Sequence, residues 1–183
     1  MSGRTLIAVA VAAGAVASCG GDTGDVVAPD GPLEAAATAF TASTALVPGR
    51  PVSAGLFVVR PSDDTGDAPI VLERVRRASA SPEVRLVGAV VAGPDRPMGA
   101  FTAERRWPPS VRFTGVAAPV KGYAIPTTER ARRTGTLVVL GLQAEDLGRF
   151  EVREVRVDYR RGDERFSERM PMRFSLQVDR RYP

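Results

Sequence analysis

The sequence predicts an all-β chain, an antiparallel β-sandwich of about seven strands over residues 50–183, and three observations predict it. Short apolar runs recur from Pro51 onward, separated by clusters of Gly, Pro and Asp that mark turns. In the last third of the chain apolar residues recur at every second position, the period of a half-buried strand. No comparable stretch carries an apolar helical period, and 18 Gly with 15 Pro in 183 residues interrupt the chain too often for a helical bundle. Essentially no helix is expected between residues 51 and 179.

The elements follow in order. Val52 to Val59 reads as a first strand ending at Pro61, and residues 61–67 form a turn cluster. Ile70 to Val75 is a second strand with Ile70, Leu72 and Val75 inward. Val84 to Val91 is a third, interrupted by Gly88. Residues 92–110 hold Pro94, Pro97, Pro108 and Pro109 and no periodicity. Val111 to Val116 reads as a short fourth strand, residues 121–126 as irregular chain or a short edge strand limited by Pro126, and Arg130 to Arg133 as a polar turn. Thr136 to Leu142 is a continuous β-branched and Leu run that suits a buried strand. Phe150 and Val152 keep even phase, whereas Val155, Val157 and Tyr159 keep odd phase, so one extra residue near Arg153 and Glu154 predicts a β-bulge. After a turn at residues 160–163, Phe166, Met170, Met172, Phe174, Leu176 and Val178 share even phase in a last strand. Leu137, Val139, Leu142, Phe150, Val157, Phe174 and Leu176 are the expected core.

The N-terminus carries a different signal. Arg4 precedes an apolar run from Leu6 to Val16, too short to span a bilayer as a helix and suited to the apolar region of a secretory signal. The run closes on Val16-Ala17-Ser18-Cys19-Gly20, which resembles the lipobox of bacterial lipoproteins. The resemblance implies cleavage before Cys19 and lipidation of its thiol, and two or three acyl chains make a stable anchor where one binds only marginally. An ordinary secretory signal that ends beside a Cys is the alternative. The chain then divides into a signal peptide at 1–18, a lipidated Cys and flexible tether at 19–49, and the β-sandwich domain at 50–183. The tether is rich in Gly, Ala, Thr and Ser, and Leu33 to Leu46 has at most one weak helical turn. The whole chain resembles envelope lipoproteins of GC-rich bacteria, which places it on the extracytoplasmic face of the cell membrane.

Leu137 to Leu142, then Asp146-Leu147-Gly148-Arg149-Phe150 and Val152, resemble the passage between the fifth and sixth strands of immunoglobulin-like domains. Asp146 and Gly148 match the corner, Phe150 stands where a Tyr hydroxyl would tie it to the backbone, and Val152 stands at the Cys position. The resemblance implies an immunoglobulin-like sandwich and no particular activity.

Chemistry is bounded by what the composition lacks. There is no His, and the single Cys is Cys19, which excludes Ser-His-Asp and Cys-His catalysis, His-ligated zinc and an internal disulfide. Lys and Arg total 25 against 21 Asp and Glu, and every basic residue but Lys121 is Arg. The Arg are interleaved with acids, as over Glu151, Arg153, Glu154, Arg156 and Asp158, which reads as a solvated mixed-charge face and not as a nucleic-acid stripe. Asp63, Asp64 and Asp67 could offer oxygens to calcium, but without the spacing of a calcium loop, and a solvated turn is the simpler reading. Met98, Met170 and Met172 could offer sulfur to copper, but Met170 and Met172 share phase with Phe174 and Leu176, which makes them core filling. Glu164, Glu168, Asp158 and Asp163 flank a tight turn and are a poor match to the facing carboxylates of a glycosidase.

The best binding candidate is the loop 92–110, which joins Arg96, Met98, Phe101, Arg105, Arg106 and Trp107 with rigid prolines. Arg with aromatic side chains is the composition of interface hot spots; the alternative is a long loop whose Phe and Trp tuck into the end of the sandwich as a core plug. The sequence therefore points to a lipid-anchored, non-catalytic envelope module that binds a protein partner or cell-wall polysaccharide through Arg96, Phe101, Arg105, Arg106 and Trp107, with no cofactor, metal or nucleic acid. The alternative is a small-ligand or metal carrier, for copper or calcium. On the first reading, substitution of Trp107 or of Arg105 and Arg106 weakens the partner interaction and leaves the thermal midpoint nearly unchanged.

Overall fold

A computed structural model describes residues 31–35, 41–63, 66, 68–92 and 102–180 of the chain. They form β1 (Leu33–Ala35), β2 (Thr41–Leu46), β3 (Val52–Pro61), β4 (Ile70–Ala80), β5 (Val84–Val91), β6 (Thr102–Glu104), α1 (Val111–Thr114), β7 (Ala118–Pro119), β8 (Ala124–Ile125), α2 (Glu129–Thr134), β9 (Thr136–Ala144), β10 (Gly148–Arg161) and β11 (Glu164–Val178). One sheet runs in the order β1-β3-β9-β5-β7, with β6 also beside β3. The other runs β2-β11-β10-β4-β8. The two pack face to face as an all-β sandwich. With β1, β3, β4, β5, β9, β10 and β11 lettered A to G, the sheets carry the A-B-E-D and G-F-C orders of an immunoglobulin-like sandwich. Residues 93–135 are an insertion between the fourth and fifth of these strands. Pairing is antiparallel except between β2 and β11, which run parallel.

The β10–β11 hairpin is the longest pairing, and its alternation is what the period-two pattern predicts. Val152, Val155, Val157 and Tyr159 face the core from β10, and Phe166, Met170, Met172, Phe174, Leu176 and Val178 face it from β11. The register shifts between Val152 and Glu154, where the change of phase predicts a bulge. On β9 the core-facing residues are Val138, Leu140, Leu142 and Ala144. Leu137 and Val139, expected in the core, lie in the opposite phase. Leu137 is half-buried, and Val139 is buried on the outward face. Both faces of β9 are covered, so its sequence shows no alternation from which phase could be read.

Three further expectations are corrected. Val111–Thr114 is a helical turn and not a strand: Pro108 and Pro109 precede it, Gly115 closes it at φ 67° with its N–H on the Val111 carbonyl at 2.7 Å, and Val111 is 72% exposed with nothing for a strand face to pack on. Residues 129–134 form a short helix where a polar turn was expected. Thr128 Oγ1 accepts from Ala131 N–H at 3.3 Å, Glu129 sits in the first turn, Arg132 and Arg133 in the last, and Gly135 caps the end at φ 66°. The sandwich also begins inside the expected tether, since β1 and β2 are strands added to the edges of the two sheets. They are short, and their partners lie far along the chain, so no local pattern announces them.

The segment Ala118–Ile125 closes one side of the sandwich. Its first strand, β7, pairs with β5 at Val90 and Val91, and its second, β8, pairs with β4 at Ile70 and Val71, so it crosses from one sheet to the other. Val120 and Ile125 are buried in the seam. On the opposite side a polar tie joins the sheets. Leu33 N–H of β1 donates to the Tyr159 hydroxyl at 3.2 Å, and that hydroxyl donates to Glu168 Oε1. Tyr159 is fully buried and stacks on Phe166 with ring centroids 5.2 Å apart.

Burial, reinforced by the neighbouring Glu168 carboxylate, holds the Tyr159 hydroxyl well above the ordinary phenol range. In the unfolded chain the same phenol ionises near pH 10, so stability present below that pH is lost as pH rises above it, by about 1.4 kcal/mol per pH unit. Tyr159→Phe abolishes this contribution. Urea unfolding at pH 9, 10 and 11 should show a steeper loss of stability for the wild type than for the variant, whatever their absolute difference. Equal slopes would contradict a buried, un-ionised Tyr159.

Candidate functional site

The inserted segment reaches the sheet through β6, whose residues Thr102, Ala103 and Glu104 pair with Gly55, Ala54 and Ser53 of β3. Beyond β6 the chain folds over the outward face of the β3-β9-β5 part of the sheet. Ser53 is fully buried, and its hydroxyl donates to the Arg106 carbonyl at 2.5 Å, which satisfies a polar group that burial would otherwise penalise. Arg106 N–H donates to the Glu104 carbonyl at 2.7 Å, and the Glu104 carboxylate accepts from Ser110 N–H at 2.7 Å. Glu104 thereby ties both ends of the turn 104–110.

Trp107 lies across Gly88 of β5 and Gly141 of β9, which are register partners. A Cβ on Gly141 would come 2.5 Å from indole Cδ2, and one on Gly88 would come 2.7 Å from Cζ2. The two glycines therefore form a slot one ring deep that any side chain would close. The ring sits on the outward face and not in the sandwich end. With the ring seated, Arg105 and Arg106 project as exposed side chains from a fixed backbone. The large apolar side chains left exposed among the described residues are Val87, Val111, Val116 and Leu147. Val87 adjoins Gly88 on β5, and Val111 and Val116 come later in the inserted segment. On the same outward face Gly135, at the end of α2, packs against Val58.

Of the residues proposed from sequence, the structure thus brings Arg105, Arg106 and Trp107 into one built turn. Arg96 and Phe101 lie outside the described residues. The expectation that Trp107 can be substituted without structural cost is corrected, because its ring fills the glycine slot. The slot itself was missed. Its signal was a Gly interrupting each of two apolar strands, which is where another group approaches a sheet closely.

The remaining candidates are dispersed. Met170 and Met172 are buried in the core, and Met98 lies outside the described residues. Asp63 is exposed, while Asp64 and Asp67 lie outside the described residues. Glu168 faces inward to Tyr159, whereas Asp158 faces outward, accepting from Arg76 Nη2 at 2.7 Å and Ser167 Oγ at 2.6 Å, so these acids stand on opposite faces of a sheet and not across a cleft. Among the described residues no group of three His, Cys, Asp or Glu is placed to hold a metal ion, and no helix is long and apolar enough to cross a membrane. An open depression of about 400 Å³ lies at the start of β10, lined by polar Ser79, Ser81, Arg149, Glu151 and Arg153 with Ala80. No family model, curated protein or solved structure matches the chain.

Removing the ring empties the slot over Gly88 and Gly141 and leaves the turn without its seat. Trp107→Ala should lower unfolding free energy by about 2 kcal/mol, less than for a fully buried Trp. Chemical denaturation followed by far-ultraviolet circular dichroism measures this, and an unchanged midpoint would contradict the packing.

Proposed function

We propose that the protein is a lipid-anchored, non-catalytic module of the bacterial cell envelope, held by Cys19 at the extracytoplasmic face of the membrane, that binds a protein partner or a cell-wall polymer through the turn 104–110. The observation that carries this reading is the seating of Trp107 on Gly88 and Gly141, which fixes the exposed Arg105 and Arg106 on a rigid scaffold. Ordering a loop before binding removes the entropy that binding would otherwise cost. Paired guanidiniums suit a partner that presents acidic groups. The sole Cys precedes the domain and the chain has no His, which supports binding over turnover. A carrier of copper or calcium draws less support, since two of its three candidate sulfurs fill the core.

Two substitutions separate anchor from binding. Cys19→Ala should leave the precursor uncleaved or move the product out of the membrane fraction; partition into detergent identical to the wild type would refute lipidation. Arg105→Ala with Arg106→Ala should abolish co-purification of the partner recovered with the wild type from its own membrane, with the thermal midpoint unchanged, because both side chains are exposed. Undiminished recovery would remove the turn as the binding site.

A further inference from the structure

We propose that the outward face of the β2-β11-β10-β4-β8 sheet is a docking surface for a linear, phosphate-bearing polyanion, laid on a row of arginines that crosses three strands. Register places Arg156 of β10 directly opposite Arg76 of β4 on one side and Arg169 of β11 on the other. Register partners share a face of a sheet, and Val155 and Val157 point into the core, so the three guanidiniums leave the sheet together on the outward side. Like charges directly opposite one another destabilise a sheet, and such a row persists where anions compensate it.

The protein supplies that compensation only in part. Arg76 is committed to Asp158 at 2.7 Å, and the same carboxylate oxygen is held by Ser167. Arg169 reaches Glu154 only at 3.8 Å. Arg156, the half-buried middle member, makes no ion pair or hydrogen bond among the described residues. Along β10 the next outward residues are Asp158, opposite Arg74, and Arg160, opposite Arg165. Arg160 has Glu73 at 4.0 Å. Six arginines thus surround Asp158, with Glu73 and Glu154 at the border, in a chain whose whole formal charge is +4. Most of the protein's charge excess is gathered on this patch.

The layout selects the ligand. Guanidinium matches phosphate with paired, charge-assisted hydrogen bonds. Arg156 and Arg160 are four residues apart on one strand, about 13 Å, so a single phosphate engages one row whereas a chain of repeated anions spans both. None of the exposed large apolar side chains among the described residues lies on this face, so it offers a bilayer no apolar anchor. The surface belongs to the sheet opposite the Trp107 turn, and each stands without the other.

The test is titration of the full chain with long-chain linear inorganic polyphosphate at low salt. Binding is expected to weaken as salt rises, and Arg156→Gln with Arg169→Gln to weaken it by about tenfold or more, since each lost phosphate contact reduces a largely electrostatic affinity. Arg105→Gln with Arg106→Gln should leave it unchanged, which separates this surface from the turn. Emission of Trp107 reports folding in each variant. Should the double variant not fold, Arg165→Gln alone is expected to give a roughly threefold loss. Equal polyphosphate affinity in wild type and face variants overturns the proposal. So does orthophosphate that competes at equal phosphate concentration, or binding to phosphatidylcholine vesicles containing phosphatidylglycerol that the same substitutions abolish.

Discussion

An indole ring resting on two facing glycines fixes where the insertion of this sandwich lies. Gly88 and Gly141 bring the backbones of β5 and β9 together with no side chain on the outward side, and Trp107 occupies the space they leave. The consequences run along the chain in both directions. Upstream, β6 is held against β3 and the Ser53 hydroxyl meets the Arg106 carbonyl. Downstream, the Glu104 carboxylate closes the turn on Ser110, and the chain proceeds through α1 to β7 on the edge of β5. Removing the outward side chains from two central strand positions sacrifices strand propensity, and the large buried area of a Trp offsets it.

The two sheets divide the remaining labour. The sheet under Trp107 is covered on both faces over β3 and β9, which is why Val58 and Val139 are buried although they face away from the core. The other sheet is apolar within and charged without. Its interior holds a polar tie, from Leu33 through Tyr159 to Glu168, which docks β1 at the cost of burying a phenol against a carboxylate. Its exterior carries unbalanced arginine. The Trp107 turn with its two exposed Arg and a sheet face with an excess of Arg over acid therefore stand on opposite sides of a single core.

How much of this was legible follows from where each signal is written. The last hairpin was readable in detail because alternation is local, and a bulge appears as a change of phase between Val152 and Val155. Glu168 shares the even phase of Phe166 and Met170 and so announced its inward orientation, yet its partner Tyr159 becomes evident only once the strands are paired. The helix at 129–134 had its full signature, from Thr128 through Glu129 to Gly135, in six residues that carry no large apolar side chain and are too few to show an apolar period. The edge strands β1 and β2 were illegible because their pairing energy comes from distant chain. Trp107 was recognisable as unusual but not as seated, since its slot is made by two residues from separate strands. The arginine row was hidden for the same reason: along β10 Arg is interleaved with acid, and only cross-strand register sets Arg76, Arg156 and Arg169 side by side.

The seating of the ring can be read directly, because Trp107 is the only Trp in the chain. Gly141→Ala adds one methyl to the floor of the slot and nothing elsewhere. The account predicts that the emission of Trp107 moves to the red and becomes more accessible to acrylamide, while the far-ultraviolet circular dichroism of the sandwich is retained. Emission and quenching identical to the wild type would contradict it, because a Cβ at that position and the ring as placed cannot coexist.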